Sequence, residues 1–244
     1  MELILDFGNT QKKLALFDLG QLLLLENHPV ITANIIENFV DGHPGITSCI
    51  LSSVVQHATG ITDYLHRKFR FIALDEHTPI PIKNCYETKI TLGKDRLASA
   101  VAGASAFPGK HVLVISAGTA LTFDFVNDRA EYLGGSIAPG MQMRFNALHT
   151  FTDKLPLLTY QEPAGLVGTN TSSSILSGVV NGIVAEIEGI CRQYQENHPG
   201  LKIILSGGDL NYFVKPLKIS IFALPKIVIH GLHQILLFNV NKAN

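Results

Sequence analysis

A short stretch near the N-terminus, 6-DFGNTQKK-13, gathers the groups that a phosphate-binding turn needs. Gly8 lets the backbone approach a ligand closely, and successive backbone N–H groups in such a turn form a concave nest for phosphate oxygens. Asp6 ends a predicted buried strand, where its carboxylate could hold Mg²⁺ through water. Polar hydrogens and cations for a terminal phosphate come from Asn9, Thr10, Lys12 and Lys13.

A similar glycine-containing turn occurs 110 residues later, in 117-AGTALT-122. When Gly118 is aligned on Gly8, Asp6 falls on Ser116, so the second copy lacks the acid. Two such turns could clasp one phosphate chain from facing domains. Neither turn matches G-x-x-x-x-G-K-[ST] or G-x-G-x-x-G, so neither a P-loop nor a Rossmann cofactor site is predicted.

A third glycine turn, 205-LSGGDL-210, follows a predicted strand in the second half. Its two glycines, Gly207 and Gly208, could let an adenine lie flat on the backbone. The alternative is a strand-to-helix turn capped by Asp209, and the sequence does not decide between the two.

The motif 93-GKDR-96 is the other candidate for chemistry. Asp95 falls in the first turn of a predicted helix, where the helix dipole favours the ionised carboxylate. Such a carboxylate can accept a hydroxyl proton during phosphoryl transfer, which asks little more of a base than position. Arg96 has the planar fork that suits a carboxylate partner. The alternative is an ordinary helix-start acid beside a solvated base.

The elements that must position these residues occur as three short strands followed by alternating helices and strands, once in each half. In the first half the predicted strands are 2–7, 12–18, 22–28, 47–53 and 70–74, and the helices are 31–42, 57–68 and 93–107. In the second half the strands are 111–116, 120–126, 131–138, 202–206 and about 219–223. The helices are 139–149, 171–197, as one long helix or two, and about 229 onward. The repetition predicts a duplicated α/β fold with domains at 1–110 and 111–244.

Composition narrows the classes of function. Of the 244 residues 46 % are apolar and 16 % charged, and the formal net charge is −1, which suits a globular protein rather than a nucleic-acid binder. No apolar run approaches the roughly 18 residues of a membrane helix, and no basic segment precedes an N-terminal apolar run. Three widely spaced cysteines, Cys49, Cys85 and Cys191, indicate reduced thiols. We therefore expect a cytoplasmic protein that binds neither nucleic acid nor membrane.

Taken together, the motifs resemble those of the type III pantothenate kinases, in the actin-like and sugar-kinase ATPase superfamily. The resemblance covers nearly the whole chain and follows the family order, through 6-DFGNT-10, 93-GKDR-96, 117-AGTALTFD-124, 134-GGSIAPG-140, 155-LP-156, 168-GTNTSSSILSG-178 and 206-SGG-208. It implies two ribonuclease-H-like domains with an active-site cleft between them, paired into a homodimer. The implied reaction moves the γ-phosphate of ATP to the primary hydroxyl of pantothenate, the first committed step towards coenzyme A.

The resemblance also implies roles for individual residues. ATP and Mg²⁺ would be held by Asp6, Phe7, Gly8, Asn9, Thr10, Gln11, Lys12 and Lys13, with Thr119 touching ATP from the other domain. Pantothenate would be bound by Tyr86, Gly93, Lys94, Asp95, Arg96 and Thr171. Within that set, Asp95 would be the catalytic base. Taken alone, Tyr86 would be interpreted as a packing aromatic, and Thr171 as a helix N-cap.

Ser116 departs from the family pattern, in which an acid at this strand end helps to bind K⁺ or NH₄⁺. The departure makes the monovalent-cation site doubtful and leaves open whether Asp124 compensates. It also supports a second hypothesis, a regulatory homologue that keeps the fold without turnover. A third is a kinase of the same superfamily for another small alcohol, such as a sugar.

Overall fold

The computed structural model describes residues 1–8, 11–55, 59–161 and 165–242. The chain forms two compact units, the first made of residues 1–105 and 227–244 and the second of residues 106–226. The strands are β1 Glu2–Phe7, β2 Lys12–Asp18, β3 Gln21–His28, β4 Ser48–Ser53, β5 Arg70–Ala73, β6 Lys83–Asn84, β7 Val112–Ala117, β8 Ala120–Val126, β9 Glu131–Pro139, β10 Lys202–Ser206 and β11 Phe222–Ala223. The α-helices are α1 Ala33–Asp41, α2 Thr59–Lys68, α3 Lys94–Ala106, α4 Met141–Thr150, α5 Thr171–Asn197, α6 Leu210–Val214 and α7 Ile227–Lys242, and Lys89–Thr91 forms a 3₁₀ turn.

The sheet of the first unit has the order β3-β2-β1-β4-β5. β1, β2 and β3 pair antiparallel, whereas β4 and β5 run parallel to β1 because helices α1 and α2 carry the chain back between them. β1 is buried from Leu3 to Phe7, Asp6 included, and the edge strand β3 is only partly buried. This arrangement brings the carboxyl ends of β1 and β4 side by side, with Phe7 opposite Ser53.

The second unit repeats this order, with strands in the sequence β9-β8-β7-β10-β11. Its first three strands are again antiparallel, and β10 and β11 again run parallel to the first strand of the set. The two units therefore share one topology, third-second-first-fourth-fifth, as the predicted duplication requires.

The C-terminal helix α7 lies in the first unit, although the sequence repeat assigned its residues to the second domain. It packs on β1 and β4, and His233 stacks on Phe17 with ring centroids 3.9 Å apart. Gly231 lies so close to α3 that a Cβ would come within 1.8 Å of the Ala98 carbonyl oxygen. The small residues of α3 thus do allow close approach of a neighbouring backbone, and that neighbour is α7.

The long helix α5 satisfies the length and composition of a membrane-spanning helix. Its apolar side is nevertheless buried in the core of the second unit, through Ile175, Val179, Ile183 and Ile187. A core helix of a soluble protein passes the same test, so the helix by itself does not indicate a membrane span.

Most predicted elements are present, with small shifts at their ends. Residues 171–197 form one helix rather than two, and α7 begins at Ile227 instead of about 229. The segment between β5 and Gly93, for which no element was predicted, contains the short strand β6 and the 3₁₀ turn, which are too brief to leave a periodic pattern. The cysteines are free, with Cys49 and Cys191 buried and Cys85 half-buried, as predicted.

Candidate active site

Asp6 lies near the end of β1 with 12 % of its side chain exposed. The antiparallel register of β1 and β2 sets it opposite Lys13, whose Nζ is 3.5 Å from Asp6 Oδ2. Burial raises the pKa of the Asp6 carboxyl above its ordinary value, the Lys13 ammonium acts to lower it, and the negative charge of Asp95 acts to raise it further. Asp6 and Asp95 are therefore within electrostatic reach of each other in the first unit.

The turn after β1 already uses one of its backbone donors, because the Gly8 N–H donates to the Gln11 carbonyl at 3.0 Å. Phe7 is buried in the core, so only its main chain could face a ligand. Gln11 is exposed, and Lys12 is half-buried. The predicted donors Asn9 and Thr10 lie outside the described residues.

Asp95 is exposed in the first turn of α3, where the helix begins with the Leu97 N–H donating to the Gly93 carbonyl at 3.1 Å. Its carboxylate folds back over Gly93: a Cβ on residue 93 would be 2.6 Å from Asp95 Oδ1. Gly93 is therefore needed for the position of the carboxylate rather than for an unusual backbone angle.

Arg96 is only 6 % exposed, which excludes the alternative of a solvated base. Its guanidinium lies over the ring of Tyr86, with Cζ 5.7 Å from the centroid. Tyr86 is itself held by a turn in which its N–H donates to Asn84 Oδ1 at 3.0 Å. Tyr86 and Arg96 thus come together in one half-buried pair beside the start of α3.

Lys94 has a different contact from the other residues of its motif. Its Nζ donates to the carbonyl oxygen of Ser53 at 3.2 Å, at the carboxyl end of β4. Nothing in the sequence pattern pointed to this contact, because the two residues are 41 positions apart.

In the second unit, the turn between β7 and β8 lies beside the turn after β10. Asp209 N–H donates to the Ala117 carbonyl at 3.0 Å, and a Cβ on Gly207 would be 2.0 Å from that same oxygen. Gly207 also has φ +100°, so both this backbone angle and the close approach to the Ala117 carbonyl require glycine there. Thr119 is exposed in the first of these turns, and its carbonyl accepts the Gly140 N–H at 3.2 Å.

The third glycine turn does begin α6, with Asp209 at the N-cap position. Its side chain, however, makes no capping hydrogen bond. Burial raises the pKa of the Asp209 carboxyl. The capping alternative therefore holds for the position of Asp209 and not for its side chain.

Ser116 is half-buried, and its Cα partner across the β7–β8 pair is Thr122. Asp124 lies two residues after Thr122 in β8, on the same face of the sheet. It is fully buried and accepts hydrogen bonds from Tyr132 Oη at 2.7 Å and Thr122 Oγ1 at 3.1 Å. Its carboxylate is thus engaged with hydroxyl groups inside the second unit. The Tyr132 partnership was not predicted, because a tyrosine eight residues away in a strand carries no special signal.

Thr171 is the first residue of α5 and not its cap, contrary to the interpretation of Thr171 as an N-cap. Asn170 is the N-cap, and it forms a capping box in which Ser173 N–H donates to Asn170 Oδ1 at 2.9 Å. Thr171 is exposed and borders a largely apolar cavity of 810 Å³ between α4 and α5. The charged lining residue Arg144 forms an ion pair with Glu186.

Among the described residues, no group of three or more His, Cys, Asp or Glu side chains could hold a metal ion. Mg²⁺ usually takes one or two carboxylates and completes its shell with water and substrate phosphates. The nearly buried Asp6 carboxylate has oxygen atoms of the kind that such a site uses.

We predict that Gly93→Ala displaces the Asp95 carboxylate and slows the phosphorylation implied by the resemblance by about 10- to 100-fold in kcat. The fold should survive, since the clash is with a side-chain tip and not with backbone. Steady-state kinetics and thermal unfolding measure the two effects. Gly189→Ala is the matched control, because a Cβ there meets nothing within 4 Å; native kcat in Gly93→Ala would contradict the prediction.

Comparison with known proteins identifies the family of this chain. A sequence profile described as Type III pantothenate kinase matches residues 2–193. Relatives named Type III pantothenate kinase include one from Christiangramia forsetii, 42 % identical with 98 % of this chain and 99 % of the relative covered. Another, from Phocaeicola vulgatus, is 40 % identical with 98 % and 99 % covered.

Two solved structures show the same fold at low sequence identity. One is a Campylobacter jejuni protein described as a conserved Baf family transcriptional activator, with TM-score 0.58, 20 % identity, and 98 % of this chain and 99 % of that chain covered. The other is the activator of 2-hydroxyisocaproyl-CoA dehydratase from Clostridium difficile, with TM-score 0.52, 10 % identity, and 99 % and 95 % covered. With the profile match, the full-length relatives and the duplicated α/β topology in agreement, this chain belongs to the type III pantothenate kinase family.

Proposed function

We propose that this protein transfers the γ-phosphate of ATP to pantothenate, giving 4′-phosphopantothenate in the first step of coenzyme A biosynthesis. One observation carries the proposal beyond family membership. Ser53 pairs with Phe7 at the ends of β4 and β1, and its carbonyl binds the amine of Lys94, so the proposed phosphate turn that starts at Asp6 lies near the motif that carries Asp95. A phosphotransferase needs those two sites together.

In the proposed mechanism Asp95 accepts the proton of the primary hydroxyl of pantothenate as that oxygen attacks phosphorus. Its exposure in the first turn of α3 leaves it accessible to a substrate. A base so placed contributes mainly by position, because the transition state is loose.

We assign pantothenate recognition to Tyr86, Gly93, Arg96 and Thr171. The carboxylate of pantothenate would pair with Arg96, whose guanidinium is desolvated and oriented by the Tyr86 ring. Burial strengthens such a pair, since water competes less for both partners. Thr171 is exposed beside the cavity between α4 and α5 and has a hydroxyl to offer.

On the nucleotide side, we assign ATP binding to the turn from Asp6 to Lys13 and to Thr119. Asp6 would hold Mg²⁺ through water, and Lys13 is near enough to serve both this carboxylate and a phosphate. When bound there, Mg²⁺ neutralises negative charge on the ATP phosphates. The polar residues Asn9 and Thr10 belong to this assignment from the sequence alone.

We also propose a cytoplasmic homodimer. Large apolar side chains of the second unit are exposed, among them Ile137, Phe151, Leu166 and Val167. A homodimer that covered these side chains would remove their apolar surface from water. Sedimentation equilibrium giving only the single-chain mass of 26.6 kDa would contradict the dimer.

The proposed activity is tested by incubating pure protein with ATP, Mg²⁺ and pantothenate, and separately with sugars, while ADP release is followed. Pantothenate-dependent turnover is expected. Turnover on a sugar alone would favour the kinase for another alcohol. Nucleotide binding without turnover on any acceptor would favour the regulatory homologue.

We predict that Asp95→Asn, which keeps the size of the side chain but cannot accept the proton, lowers kcat by about 10²- to 10⁴-fold. ATP affinity should change little, because Asp95 is assigned to the acceptor. The measurement is kcat alongside ATP binding by calorimetry. Asp63→Asn, at an exposed position of α2, is the matched control; an Asp95→Asn enzyme of near-native kcat would refute the assignment.

A further prediction concerns Ser116. The family has an acid at this strand end, so the serine leaves the site with one negative charge fewer. With fewer carboxylates near the phosphates, the demand for a monovalent cation falls, and so does the affinity for it. We therefore expect little or no activation of the native protein by K⁺ or NH₄⁺, and retained need for Mg²⁺.

The measurement compares turnover in Na⁺-only and K⁺ buffers of equal ionic strength, for native protein and for Ser116→Asp. The variant should gain K⁺ activation, because its new carboxylate faces Thr122 and no cationic side chain across the β7–β8 pair. Strong K⁺ activation of the native protein, unchanged in Ser116→Asp, would disprove this interpretation of Ser116.

A further inference from the structure

The amine of Lys94 is bound to the main chain of a distant strand. It donates to the Ser53 carbonyl at 3.2 Å, in a partly buried position. Lys94 is the first residue of α3, and Ser53 is the last residue of β4. The contact therefore joins the start of the helix that carries Asp95 to the edge of the sheet where β1 and β4 end together.

The acceptor carbonyl is itself well fixed. Ser53 Oγ donates to the Val55 carbonyl at 2.7 Å and accepts the Val55 N–H at 3.3 Å, which closes a tight turn after β4. The Val54 N–H donates to the Phe7 carbonyl at 3.1 Å, which ties the same turn to the end of β1. An amine that binds this carbonyl is thus anchored to the residue next to Asp6.

The neighbours Lys94 and Asp95 have different environments. Lys94 is half-buried and Asp95 is exposed, as expected for consecutive helical residues, whose side chains do not face each other. A Lys94 amine that bound pantothenate would have to give up the Ser53 carbonyl and release the start of α3. That release would loosen the position of Asp95 at the moment when it must be held.

We propose that Lys94 is a positioning residue, whose bond to the Ser53 carbonyl sets the start of α3 and with it the Asp95 carboxylate relative to Asp6, and that it is not a ligand for pantothenate. The assignment deepens the proposed function and rests on it. It changes the role that the family resemblance implied for this one residue of 93-GKDR-96.

The test uses Lys94→Met, which keeps the length and apolar stem without the amine, and Lys94→Arg, which restores a cationic donor. Lys110→Met, at an exposed turn, is the matched control. For each variant kcat, the KM for pantothenate and the thermal unfolding temperature are measured. Amide hydrogen exchange is followed at residues 95–98 and 53–55.

We expect Lys94→Met to lower kcat by about 10- to 100-fold with the KM for pantothenate within about twofold of native. Faster exchange at the start of α3 should accompany the loss, and Lys94→Arg should recover most of both. If Lys94→Met does not fold, Lys94→Gln is measured by the same criteria.

A rise in the KM for pantothenate with kcat unchanged would make Lys94 a ligand and overturn the proposal, as would native values for all three quantities. Failure of the native protein to phosphorylate pantothenate would contradict the proposed function instead. The exchange measurement would still decide whether Lys94 fixes α3, since it does not require turnover.

Discussion

The ion pair between Asp6 and Lys13 is the interaction on which the proposed site depends. Burying an ionised carboxylate this deeply costs folding free energy unless a cation lies close to it. The β1–β2 register places the Lys13 ammonium on the opposite strand as that cation. The Asp95 carboxylate adds a second negative charge that acts on Asp6, and a nucleotide would add several more. In our proposal the turn after Asp6 binds phosphate because Lys13 and Mg²⁺ offset this accumulation of charge.

The second unit has the same strand topology but no acid–base pair at the corresponding positions. Asp6 faces Lys13, seven residues ahead, whereas Ser116 faces Thr122, six residues ahead, so the second turn is one residue shorter. Acid and base have therefore been replaced together by two hydroxyl residues. A carboxylate at position 116 would have no cationic partner across the strand, which gives a physical reason for the missing acid. The remaining acid of that face, Asp124, is satisfied by Tyr132 and Thr122.

Local patterns predicted most strands and helices, because alternation, apolar runs and glycine turns report on a residue's immediate neighbours. They also located the exposed Asp95 at the start of its helix. They could not assign α7 to the first unit, since an apolar helix carries no sign of which sheet it covers. The contact of Gly231 with α3 shows that the choice is made by close packing between distant segments.

The side-chain contacts within the site could not be predicted from the sequence for the same reason. The Lys94–Ser53 bond, the Arg96–Tyr86 pair and the folding of Asp95 over Gly93 are all set by tertiary packing. Sequence reasoning had left open whether Arg96 binds a carboxylate or is a solvated base, and its burial excludes the second alternative. The family resemblance supplied the residue set, and the structure supplies the contacts from which roles within that set can be argued.

The central claim is that the Asp6 carboxylate is where Mg²⁺ and nucleotide meet. Calorimetric titration of ATP without pantothenate, with and without Mg²⁺, tests it directly in native protein and in Asp6→Asn. The account predicts that Mg²⁺ strengthens ATP binding to the native protein by at least about tenfold, or 1.4 kcal/mol, and that Asp6→Asn removes this gain without weakening Mg²⁺-free binding. An equal gain from Mg²⁺ in both proteins would contradict it.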